Sequence, residues 1–167
     1  SVNKSFGGAL PEITLGTFIE KLANDQVTIS HPYAALVVAP LAEAAKIYHA
    51  NPELFFVQKQ NALGKYNDSA GNVLYTFEQR PDENWATAAN FGNSKKIVGT
   101  DKMLEKILED NDHQVDQKAF VKARLFDMWI GDWGRHDDQW RWATFKDGKK
   151  TLYVPIPRDR DNAFTKF

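Results

Sequence analysis

Eight polar residues toward the carboxyl end have types and spacings that can do chemistry. Asp132, Arg135, His136, Asp137, Asp138 and Gln139 crowd one stretch, and Asp159 and Asp161 stand two apart in a second. Carboxylates and an amide offer oxygen ligands to a hard cation, and acids brought close together repel unless something positive is shared among them. Mg²⁺ is the simplest such cation. It binds through one or two carboxylates and completes its shell with water and phosphate oxygens, so a metal–nucleotide complex suits this residue set better than a closed protein cage.

The two stretches form one site only if the chain between them doubles back. Residues 140–145 and 151–156 are rich in aromatic and β-branched types and flank a polar connection containing Asp147-Gly148, which predicts a β-hairpin. A hairpin returns the chain to the end from which it left, so the loops before and after it meet. Ahead of the first loop, Asp116 predicts the N-cap of a long helix. Its apolar residues Phe120, Ala123, Phe126, Met128 and Trp129 predict a broad buried face. Thr100 or Asp101 is expected to cap a shorter helix with Met103, Leu104, Ile107 and Leu108 on one face, after an irregular loop over 80–99. Residues 54–57 and 73–77 read as two strands that pair. Pro11 starts a helix running to about Asn24, and Pro32 opens another that Pro40 splits, its longer part running from about 41 to 50. The expected class is α+β: a small antiparallel sheet toward the amino end, and a helical part that delivers the loop and the second hairpin.

With 167 residues, 43% hydrophobic and 13% aromatic, the chain can bury one sizeable core as a single domain. A net charge of -1, with no sustained run of Lys and Arg, excludes a general nucleic-acid surface, so any phosphate partner is held locally. The absence of cysteine rules out disulfides and thiolate metal sites. No segment has the apolar length of a membrane span, so direct membrane insertion is not expected. The abrupt ends read as those of a fragment of a longer protein.

GDWGRHDDQW, then a hairpin, then PRDRDNAF resembles the catalytic segment of the atypical kinases, the group that includes the phosphoinositide, HipA-type and CotH-type spore-coat kinases. The phrases HPYAALVV, LAEAAKIYH, FGNSKK and GDWGRHDDQWRWA carry a second resemblance that spans nearly the whole chain. It is to a domain of uncharacterised proteins of Bacteroidetes-type bacteria, some of which join it to a metallophosphoesterase domain and an outer-membrane barrel of the surface-antigen type. Together the resemblances imply a partial kinase-like fold, Mg²⁺ and ATP as cofactors, a fused domain or protein partner, and a periplasmic or outer-membrane-associated setting. Lys4 in SVNK is then the strand lysine that pairs the nucleotide phosphates, and Glu43 in LAEAAK its helix partner. Gln139 takes the metal-binding amide position, Asp161 the metal-binding acid, and Asp159 the second ligand. Arg135 and His136 belong to the catalytic loop. Two departures stand out. The expected catalytic Asp falls on Gly134, which has no side chain to orient or deprotonate a hydroxyl, leaving Asp132 as the substitute if the loop turns it inward. The glycine-rich phosphate loop that the resemblance implies ahead of Lys4 is not within residues 1–3.

By residue type alone, Arg135 braces the acidic cluster, His136 is a structural histidine, and Arg158 and Arg160 neutralise the acids they interleave. Trp129, Trp133, Trp140 and Trp142 anchor the core and loops. Two functions follow from the sequence: a kinase-like domain that binds a magnesium nucleotide and transfers its phosphoryl group by positioning and charge neutralisation, or a non-catalytic kinase relic acting as a spacer or partner-binding module. A third is a metal-dependent hydrolase that cleaves phosphate esters with the same acids.

Overall fold

The computed structural model describes residue 31 and residues 33–165; the predicted Pro11 helix and Lys4 lie outside them. The class is α+β. The elements run α1 (Ala34–Ala44), β1 (Glu53–Val57), the short α2 (Asn67–Ala70), β2 (Val73–Phe77), β3 (Ile97–Gly99), α3 (Thr100–Glu109), β4 (His113–Val115), α4 (Gln117–Trp129), β5 (Trp140–Asp147) and β6 (Lys150–Pro157). Strands β1 and β2 pair antiparallel with Leu54 opposite Thr76. The other four form a mixed sheet in the order β3-β5-β6-β4, with β4 parallel to β6. Among the described residues, no helix is long and apolar enough to cross a membrane.

The β5–β6 hairpin is longer than the sequence reading placed it and forms the centre of the sheet rather than an appendage to a helical part. Asp147 faces Lys150, so the turn is two residues, and Gly148 supplies the positive φ of 60° that its first position needs. Side chains alternate across the sheet, and each face has its own core. Val98, Trp140, Trp142 and Tyr153 point to one side, where Phe120 of α4 lies 5.2 Å and 5.8 Å from the two indole rings. Ile97, Ala143 and Ile156 point to the other and surround the fully buried Phe91, which alone stabilises the fold by about 1.5–3 kcal/mol.

Five expectations change. Pro40 lies inside an unbroken α1 rather than splitting it. That helix stops at Ala44 because Lys46 turns left-handed (φ 55°): the Ile47 amide donates to the Ala42 carbonyl and the Lys46 amide to Glu43, a Schellman closure that prevents any run to residue 50. Helix α3 has Gly99, not Thr100 or Asp101, at its N-cap. Thr100 instead donates to the Asp137 carbonyl at 2.9 Å and accepts from Trp142 Nε1 at 3.1 Å, tying the helix start to the loop before β5. Asp116 does cap α4, accepting from the Ala119 amide at 2.9 Å. The inward stripe of α4, however, is Ala123, Phe126, Asp127 and the following Ile130, at offsets of three, four and seven, which turns Met128 and Trp129 outward to solvent. The stretch over 80–99 is largely irregular as expected, but Ile97–Gly99 leaves it to pair with β5, and the three-residue β4 joins the opposite edge.

Candidate functional site

The end of α4 builds the site. The helix closes on Gly131 (φ 69°), with the Asp132 amide donating to the Asp127 carbonyl at 2.8 Å and the Gly131 amide to Met128, a second Schellman closure. This turn brings Asp132 back beside Asp127, and both carboxylates are almost wholly buried. Two arginines arrive from either side of the hairpin to meet them. Arg135 donates through Nε to Asp127 Oδ2 at 2.7 Å and through Nη2 to Asp132 Oδ2, and Arg160 donates through Nη1 to both acids. Arg124, one turn back on α4, adds a bond to Asp127 Oδ2 at 3.0 Å from a half-exposed position.

Aromatic rings close the cluster. The Arg135 guanidinium lies 5.3 Å from the Trp140 ring, and that of Arg160 5.3 Å from Phe126. Satisfaction is uneven: Asp132 Oδ1 and the Nε and Nη2 of Arg160 have no hydrogen-bond partner among the described residues. Burial pushes the Asp132 carboxyl above its ordinary value against the pull of Arg135 and Arg160. Burial likewise lowers Arg160, and neighbouring Arg135 adds to the effect. Such a network is costly to break and fixes the relative placement of helix, loop and hairpin.

The second grouping lies at the base of the hairpin. Gln139 is buried; its Nε2 donates to Asp159 Oδ2 at 2.9 Å, its Oε1 accepts from the His136 amide at 3.3 Å, and its carbonyl accepts from the Arg158 amide at 2.8 Å. Asp159 takes a left-handed conformation (φ 55°) that turns its exposed carboxylate back toward the first loop. Its carboxylate forms no ion pair among the described residues. Asp161 is half-buried two residues on. Glu78, just after β2, belongs to the same neighbourhood: its carboxyl is pushed up by burial, pulled down by Arg158 and Arg160, and pushed up again by Asp159.

The structure thus joins Gln139 to Asp159 across 20 residues of sequence. Asp132 and Arg135 meet in the ionic cluster, while His136 is exposed beside it. Glu43 sits exposed near the end of α1, and Lys4, its expected partner, lies outside the described residues. At Gly134 an added Cβ would lie 2.9 Å from the Asn162 amide nitrogen, so the loop after the hairpin covers the position where a catalytic carboxylate was expected. Sequence reasoning missed Asp127. Its signal was an acid inside the apolar stripe of α4, followed by a glycine where the helix must end. Arg160 was read as neutralising Asp159 and Asp161, but it pairs with Asp127 and Asp132.

Among the described residues, no group of three or more His, Asp or Glu stands ready to hold a metal. Comparison of the chain with family models, curated proteins and solved structures finds no match.

Proposed function

We propose that the chain is a kinase-like domain that binds a magnesium nucleotide at the base of the β5–β6 hairpin and, with glycine at position 134, does not transfer the phosphoryl group. The observation that carries this reading is the Gln139–Asp159 bond at 2.9 Å, which puts the amide of the first loop and the acid of the second at one point. Among the described residues the bonded partner of the Asp159 carboxylate is the neutral Gln139 amide, with the Arg158 charge acting on it from the neighbouring position and Asp161 two residues on. That donor set fits a cation that draws its remaining ligands from phosphate rather than from the protein.

Asp159 and Asp161 would hold the ion, which supplies charge neutralisation at the phosphates, while Gln139, whose Nε2 faces Asp159 and whose Oε1 is taken by the His136 amide, would hold Asp159 in place. The chain itself orients these groups: the His136 amide holds the Gln139 side chain, and the Arg158 amide holds the Gln139 backbone carbonyl. Asp132 does not serve as the base in this reading, because its carboxylate is committed to Arg135 and Arg160. The same commitment favours a second reading, a non-catalytic module in which the ionic cluster only holds the scaffold rigid.

Calorimetric titration with Mg-ATP separates the two. Binding that weakens about tenfold or more in Asp161→Asn and Gln139→Ala supports the nucleotide site. Equal affinity in all three proteins, or no binding in any, leaves the scaffold reading.

A further inference from the structure

Residues of α3, α4 and the first face of the sheet line a groove of about 710 Å³, within the range of small-molecule pockets. Its floor is aromatic, formed by Phe120, Trp140 and Trp142, which lie within 6.0 Å of one another ring to ring. Leu104 and Val121 form the lips and are each about half exposed, at 49% and 55%. One end is polar: Arg124, Arg135 and His136 border it, with the Arg135 side chain itself fully enclosed and the exposed Asp137 as the acid there.

Among the described residues, Asp127 is shared by three guanidinium groups, Arg124, Arg135 and Arg160, while Asp132 takes two of them and Glu78 also acts on Arg160. The Arg135 side chain is fully enclosed and that of Arg160 nearly so, so Arg124, which has only a share of Asp127, is the arginine that meets solvent, its side chain 40% exposed at the groove's edge. An apolar trough that ends at an incompletely neutralised arginine matches a molecule with an apolar body and a single negative head.

We propose that this groove binds a small amphipathic anion, an acyl or aromatic carboxylate whose body lies on Phe120, Trp140 and Trp142 and whose head meets Arg124. His136 borders both this groove and the Gln139–Asp159 grouping, but the ligand contacts here, on Phe120, Trp140, Trp142 and Arg124, are not those of the nucleotide reading and do not depend on it.

The test uses decanoate and its uncharged counterpart decanol, each below its aggregation limit, followed by tryptophan fluorescence and by calorimetry on the full chain. Decanoate should bind saturably and more tightly than decanol. Arg124→Gln should weaken decanoate about tenfold and leave decanol unchanged. Leu104→Ser, a surface change that does not disturb the core, should weaken both. Absence of saturable decanoate binding, equal affinity for the two probes, or decanoate affinity untouched by Arg124→Gln or by Leu104→Ser would each overturn the proposal.

Discussion

Replacing Asp127 by Asn tests whether the acids and arginines around the helix end hold the fold together. Asp127 accepts from three guanidinium groups and is almost wholly buried, so the change removes one of two negative charges facing three positive ones without altering side-chain size. Removing one partner from a buried ion-pair network costs about 3–5 kcal/mol, because the remaining charges stay buried and uncompensated. For a chain of this length that lowers the melting temperature by about 6–20 °C. Asp132 should respond differently. Burial already disfavours its charge, and an Asn oxygen can still accept from Arg135, so Asp132→Asn should cost only about 1 kcal/mol. Urea denaturation followed by circular dichroism at neutral pH gives both values. The reasoning fails if Asp127→Asn melts with the parent, or if Asp132→Asn proves the more damaging of the two.

Three further outcomes follow from the geometry. Because the Asp132 carboxyl is held above its ordinary value, the neutral form is the one the fold prefers; its contribution is complete below the ordinary carboxylate range and fades as pH rises through the raised value. Denaturation of the parent and Asp132→Asn between pH 4 and pH 8 should therefore show the variant gaining relative to the parent as pH rises, whereas an opposite trend would mean the arginines outweigh burial. Gly92 has φ 66°, and a Cβ there would overlap the Tyr48 hydroxyl, so Gly92→Ala should cost about 2–4 kcal/mol; Gly148→Ala, at φ 60° in open space, should cost only about 1 kcal/mol, both read by urea denaturation. Lys46→Gly relieves a left-handed lysine in the closure of α1 while keeping the backbone carbonyls that Lys122 Nζ reaches at 3.1 Å, and should stabilise the chain by about 0.5 kcal/mol; a lower melting temperature would show that the lysine side chain does more than occupy the turn.

Where local pattern decides structure, the sequence was informative. Asp116 reads as a cap because its carboxylate serves the Ala119 amide within one turn, and the hairpin reads from its aromatic strands and Asp147-Gly148. Strands β3 and β4 are three residues each and exist only because β5 and β6 offer edges to pair with, so no local periodicity announces them. The end of α1 was misplaced for a similar reason. A lysine occupies the left-handed position that glycine usually signals. At the site, the meeting of Gln139 with the residues after the hairpin followed from the hairpin alone. The division of labour among the charges did not, since it depends on which acids the helix end buries: Asp127 and Asp132 take both arginines, which leaves Asp159 to the amide of Gln139. The two outward residues Met128 and Trp129 show the same limit, because hydrophobicity alone does not reveal which side of a helix meets the sheet.

The most direct test of the magnesium-nucleotide reading is to titrate ATP with Mn²⁺ in place of Mg²⁺ into isotopically labelled protein and follow paramagnetic broadening of the backbone amide signals. The account predicts that Gln139, Asp159 and Asp161 broaden first and only when ATP and the ion are both present. Broadening centred elsewhere, or equal with and without ATP, would contradict it.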